Sequence, residues 1–289
     1  MRASALPLLL LAACAAPPQG TAPSGGEAVV IEANRRADVY LKSGDLEGAA
    51  RQYREAVRVA RSLEDAEGIA TNAINLSIVY QRLGRPDDAR VSLALVLERS
   101  QLSFSPERLA QAALRRSVLD LDEGRSADAG AWLERASGYC GQRGCSVSGA
   151  IQNVRGQLAL ETGRADQAVA AARAALAASR AGGDRAETAN ALRLLGAAAL
   201  KSGDAAAATA YLGEALAIDK EIAVPRKIYM DLVALGRASA LKGDRGAARS
   251  YYERARAVSE ADRDPEGAAK ARTLIEALGD NMQARQPSP

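Results

Sequence analysis

Apolar residues recur along this chain in pairs of helical stripes, each pair broken by one glycine, and the pairs return at a nearly constant interval. The punctuating residues are Gly44, Gly84, Gly124, Gly163, Gly203 and Gly243. Seven positions before them stand small residues, Ala37, Ser77, Ser117, Gly156, Gly196 and Gly236, and five positions after them alanines, Ala49, Ala89, Ala129, Ala168, Ala208 and Ala248. Nine positions after come Tyr53, Leu93, Leu133, Ala172, Leu212 and Tyr252, and twelve after come Ala56, Val96, Ala136, Ala175, Ala215 and Ala255. Apolar positions three and four apart mark one face of a helix, so each glycine reads as the turn between two antiparallel helices. Helices approach to about 8–10 Å only where the crossing side chains are small. The small residues supply that crossing and the larger ones fill the space beside it. A unit this short cannot bury its own apolar face, so six of them predict an all-α stack with one continuous core and a solvated terminal cap.

Leu195-Gly196, Leu235-Gly236, Leu76-Ser77-x-x-Tyr80 and Tyr251-Tyr252 complete a pattern that resembles the tetratricopeptide repeat. The resemblance covers residues 28–279 and implies a right-handed α-solenoid of about six repeats with a capping helix, Ala268 to Leu278. The interval is about 40 residues instead of the usual ~34, as in the longer variant of kinesin light chains, so each module carries about six extra residues. Helix starts show where they go. Asp184-x-x-Glu187 reads as an N-cap with its reciprocal glutamate, and Ser105-Pro106 and Asp264-Pro265 place a capping oxygen before a first-turn proline. The third repeat has Arg116 and Asp120 where leucine and tyrosine are usual, and the fourth has Ala172 in place of a large residue. These two modules are expected to pack least tightly.

The first residues carry a different signal. Arg2 is a basic start, Leu6 to Leu11 a short apolar run, and Leu11-Ala12-Ala13-Cys14 follows, which resembles a bacterial lipobox. The run is too short to span a membrane, for which about 20 apolar residues are needed. The resemblance implies that residues 1–13 are a lipoprotein signal peptide and that Cys14 is acylated and begins the mature chain. The alternative is an ordinary secretory signal with Cys14 incidental. Ala15 at the second mature position, in place of aspartate, implies sorting to the outer membrane facing the periplasm. Residues 14–27 read as lipidated cysteine and flexible tether, spanning about 20 Å on average as a coil, and residues 280–289 as a polar tail.

Thirty-eight basic residues against thirty-five acidic leave a net charge of +3, with no basic stripe for nucleic acid. There is no histidine, which removes the commonest general base and zinc ligand. No phosphate loop or nucleophile constellation is present. No metal, cofactor or small-molecule substrate is therefore expected, and no enzymatic activity. Cys140 and Cys145 bracket a glycine-containing connection, and in an oxidising compartment read as a local disulfide; a redox pair or half of a metal site is the rival reading. Trp132 shares its register with Tyr211 and Tyr251, a position for packing against the neighbouring module. Arg51, Arg54, Glu55 and Arg58 read as a solvated outer face.

In this family the first helices line a concave groove. The register puts Asn34 and Asp38, Ile74 and Ile78, Leu114 and Val118, Asn153 and Gln157, Arg193, and Val233 and Arg237 along it. Ile74, Ile78, Leu114 and Val118 equally fit an intermodule core. The resemblance implies a scaffold that holds a protein or peptide in the groove and meets the membrane through its lipid. Lipoproteins of this build include pilotins for type IV pilus secretins and adaptors of peptidoglycan-processing enzymes. A chaperone for exported subunits is the alternative.

Overall fold

The computed structural model describes residues 25–98, 101–141 and 144–283, so the leader, Cys14 and the tail from residue 284 lie outside the described residues. Every regular element described is a helix. They are α1 (Gly25–Ser43), α2 (Leu46–Ser62), α3 (Ala66–Arg82), α4 (Pro86–Leu97), α5 (Pro106–Asp122), α6 (Ser126–Cys140), α7 (Ser148–Glu161), α8 (Ala165–Ala181), α9 (Arg185–Ser202), α10 (Ala205–Glu221), α11 (Pro225–Leu241), α12 (Arg245–Ala261) and α13 (Pro265–Gln283). Consecutive helices pair as the glycine spacing predicts, and α13 covers the open end of the last pair. The result is an all-α solenoid.

Local chemistry sets the helix starts. Asp45, Asp65, Ser105, Asp184, Asp204, Asp244 and Asp264 each accept a hydrogen bond from the backbone N–H three residues on, a cap worth about 1 kcal/mol. The extra residues of each module lie in the helices: α5, α9 and α13 begin at the residue after the predicted cap. α13 is longer than expected at both ends, and α1 starts at Gly25, inside the stretch read as tether. The expected return bond from Glu187 to its cap is not made. The backbone N–H of Asp184 is already taken by the Ser179 carbonyl, at 2.9 Å, which frees the Glu187 carboxylate for other partners.

Turns inside the modules use glycine at positive φ, +83° at Gly203. Turns between modules adopt the same conformation at Glu64, Ala223 and Arg263, with φ of 53°, 54° and 57°, where no glycine marks them. The small crossings behave as anticipated. A Cβ on Gly196 would lie 2.6 Å from Leu212, and one on Gly236 would enter the Tyr252 ring.

The expectation that repeats three and four pack loosely is corrected. α5 with α6, and α7 with α8, pack as closely as the other pairs. In the fourth repeat, Leu194 from α9 closes over Gly156 where Ala172 leaves room. In the third, Asp120 is fully buried and shared by Arg116 at 3.2 Å, Arg90 at 3.6 Å and Arg125. The sparse contacts fall between modules, at α4–α5 and α6–α7, where longer connections replace the tight turns.

Alternate helices α3, α5, α7, α9 and α11 touch one another in series, and no such series of contacts joins the second helices. The first helices therefore form the concave layer.

Candidate functional site

The concave layer encloses a groove of about 860 Å³ running from α3 to α11. Of the residues the register placed there, Ile74, Leu114, Val118, Asn153, Gln157, Arg193, Val233 and Arg237 line it. Asn34, Asp38 and Ile78 do not. Asn34 and Asp38 sit on α1, which makes no comparable contact with α3, so the curved wall starts one helix later. Ile78 is on the adjoining face of α3 and 41% exposed. The choice between groove and core divides by residue: Leu114 is buried in the core and edges the groove, Ile74 packs on the core, and Val118 faces the groove half-buried.

The sequence reading missed Gln111, Arg115, Val154, Glu187, Asn190, Lys227 and Met230, which also line it. Lys227, Met230, Val233, Ala234 and Arg237 follow the three-and-four spacing of a single α11 face, a signal present in the chain. Glu187 reads from the sequence as the reciprocal partner of the Asp184 cap, and Arg115 stands one position from the register residue Leu114.

The polar wall is built around Arg193. Its Nε donates to Asp231 Oδ1 at 2.7 Å, its Nη1 to Asn190 Oδ1 at 2.8 Å, and its Nη2 to Asp219. Asp219 and Asp231 are buried between α10 and α11, so this guanidinium is bound from beneath by the fold itself. Burial pushes the Asp231 carboxyl up to about 7; Arg193 opposes that shift and neighbouring Asp219 adds to it. Asn153 Nδ2 donates to the Glu187 carboxylate at 2.6 Å and to its carbonyl at 3.1 Å. Its Oδ1 is buried and has no hydrogen-bond partner among the described residues, an acceptor that an incoming N–H could complete. Burial lowers the Lys227 ammonium, and Arg193 adds to the shift. Across the groove Arg115 donates to Ser77 Oγ at 3.2 Å and to Gln81, and burial brings its guanidinium down to about 10.

The tetratricopeptide repeat family model matches residues 30–102 and 148–221. The chain belongs to the tetratricopeptide repeat family. No curated protein matches it in sequence. Among solved structures, it is similar to a Rap protein crystallised with competence and sporulation factor, with a TM-score of 0.62 at 13% identity over 90% of this chain and 74% of that one. It is similar to PilW, a type IV pilus biogenesis factor, with a TM-score of 0.55 at 17% identity over 84% and 97%. PilF of Pseudomonas aeruginosa gives a TM-score of 0.53 at 18% identity over 76% and 99%. At these identities the likeness concerns the fold.

The remaining singled-out residues of this tetratricopeptide repeat protein lie away from the polar wall. Cys140 and Cys145 are bonded to each other, their Cα atoms 5.0 Å apart, in the connection from α6 to α7. Beside them Ser146 bonds to Glu107 of α5, and Val147 reaches the groove edge. Trp132 is half-buried against the core of the third repeat, with Arg135 over its ring at 4.4 Å and Arg116 at 5.4 Å. Tyr211 and Tyr251 are packed in the equivalent way. Arg51, Arg54 and Arg58 are exposed on the outer helix α2.

Proposed function

We propose that this protein is a lipid-anchored scaffold on the periplasmic side of the bacterial envelope, gathering a partner for assembly of an envelope complex. The tetratricopeptide repeat array is a scaffold for protein–protein interaction. The observation that carries the reading is the groove: an apolar floor continuous across five first helices, open to solvent and edged by hydrogen-bonding side chains. Such a surface suits an extended segment or a helix, whose apolar side chains seat on the floor while its polar groups meet the wall. Leu11-Ala12-Ala13-Cys14 supports the anchor, the Cys140–Cys145 pair suits an oxidising compartment, and the likeness to PilW supports an envelope role.

Purification of the acylated protein from its native membrane tests both halves. Changing Cys14 to Ala should abolish detergent partitioning and fatty-acid labelling; equal labelling of the variant would remove the anchor. One stable copurifying protein, weakened by Val118→Ser with Met230→Ser and unaffected by Arg54→Ala with Arg58→Ala, is the expected result. The opposite pattern would move binding to the outer face. Many weakly held clients would instead identify an assembly chaperone.

A further inference from the structure

We propose that α1 carries a self-docking face: two copies of this chain pair through antiparallel α1 helices, each setting Gly25, Val29, Glu32, Arg36, Val39 and Ser43 against the same six residues of the other.

The first observation is an unfilled position in the repeat. In each later module the first helix turns one face toward the second helix of the module before it. Five positions before the turn glycine that face carries Val79, Leu119, Leu158, Ala198 and Ala238, all buried. Val39 holds the same place on α1 and is 56% exposed. Fifteen positions before the glycine, Ile69 is buried in a cluster with Ala56, Val59 and Ala60 of α2, whereas the matching Val29 is 45% exposed. Among the described residues no helix precedes α1. Its face therefore leaves apolar area in water that a packed helix would remove.

The second observation says what fits there. The six face residues are alternately four and three positions apart, the heptad spacing of a two-helix seam. Their order is small, Val, Glu, Arg, Val, small, which reads the same from either end except that Glu32 and Arg36 exchange places. Turning one α1 end for end about Asn34 thus sets Val29 on the partner's Val39, Gly25 on the partner's Ser43 and Glu32 on the partner's Arg36. Within one chain Arg36 Nε donates to Glu32 at 2.8 Å, and a guanidinium has further N–H donors to share with the partner's Glu32. A parallel pair would face Glu32 with Glu32 and Arg36 with Arg36, so like-charge repulsion selects the antiparallel one. The chain already makes this contact once. Arg155 stands where Arg36 does in its own module, and its Nη2 donates to Glu134 of the preceding second helix α6 at 3.0 Å. One helix from each copy buries less than about 1,200 Å², which makes the pair weak and reversible. Identical faces close a twofold pair, so association stops at two copies and the assembly carries two grooves.

Disulfide trapping of the full chain, in envelopes of cells that express it, tests the pair. Val29→Cys with Val39→Cys, oxidised with copper phenanthroline, should give a covalent dimer on non-reducing gels. The two sites are about 15 Å apart along one helix, too far to bond within a chain. Either substitution alone should leave a monomer, while coexpression of the two single variants should restore the dimer. Adding Glu32→Arg should cut the yield about tenfold by setting arginine against arginine, and Glu32→Arg with Arg36→Glu should recover it. Arg54→Cys on the outer helix α2 controls for chance collision and should not cross-link. A monomer from the doubly substituted chain overturns the proposal and leaves the face to a helix of another protein. Cross-linking of Val29→Cys alone, a yield that Glu32→Arg does not lower, or equal cross-linking of the control also overturns it. Val29, Arg36 and Val39 are exposed and Glu32 partly so, so the variants keep the fold, which melting curves would verify.

Discussion

Two buried charge clusters hold this solenoid, with opposite proportions. At the junction of α4, α5 and α6, the buried Asp120 is shared by three arginines, Arg90, Arg116 and Arg125, with the less buried Glu123 pairing with Arg90 and Arg125 at its edge. Under the groove, two carboxylates, Asp219 and Asp231, share one guanidinium, Arg193. The first cluster fastens a junction where the connection between modules is long and helix contacts are sparse. The second stands beneath the partner-facing wall and is short of positive charge, so a proton can serve as the missing cation. That difference gives the second cluster, through Asp231, a charge that responds to pH.

Removal of Asp120 should have the largest effect. Asp120→Ala leaves three arginines around a vacated, buried point, and breaking such a cluster costs about 3–5 kcal/mol; denaturant titration would measure it. A loss under about 1 kcal/mol would mean that solvent already screens the cluster. Arg193→Ala should come next, at about 3 kcal/mol at pH 8, because two buried carboxylates then face each other unpaired. Its penalty should shrink at pH 5, where protonation relieves the repulsion. A pH-independent penalty would show that packing, not charge, is lost.

Asp231→Asn should act in the opposite direction. Burial pushes the folded carboxyl up to about 7 from its ordinary 3.8, so the folded state binds the extra proton between those limits. Stability from this group is fully present below about pH 4 and is lost as pH rises through about 7. Asparagine keeps an acceptor for Arg193 and removes the charge. It should therefore raise stability at pH 8 by on the order of 1–2 kcal/mol, seen as a higher melting temperature, and by less at pH 5. The smallest effect belongs to Arg90→Ala, about 1 kcal/mol or less, since Arg116 and Arg125 still hold Asp120. A loss as large as that of Asp120→Ala would make Arg90 the principal partner and sharpen the view of that junction.

The repeat register was legible because it is a local property. A turn glycine, a small crossing residue and a capping aspartate each act within one or two helical turns, and Gly203, Gly196 and Asp184 do what their spacing implies. The groove was legible in part. The resemblance implied its first-helix origin and the register placed residues on those helices, and Leu114, Val118, Asn153, Gln157 and Val233 line it. Arg193 also lines it, but Asp219 and Asp231, 26 and 38 residues away in sequence, bind it from beneath. No spacing rule reaches that far.

The chain by itself determined the helices, their pairing and the terminal cap, because periodicity and capping chemistry are written within a module's length; which helix of each pair turns inward came from the family resemblance. Only the tertiary structure decided which modules are tightly joined, where Leu194 compensates for Ala172, where the groove begins, and which of its charges the fold already binds. Those outcomes depend on side chains meeting across neighbouring repeats. The energy of such a meeting is set by burial and by the opposing group, neither of which is a property of one segment.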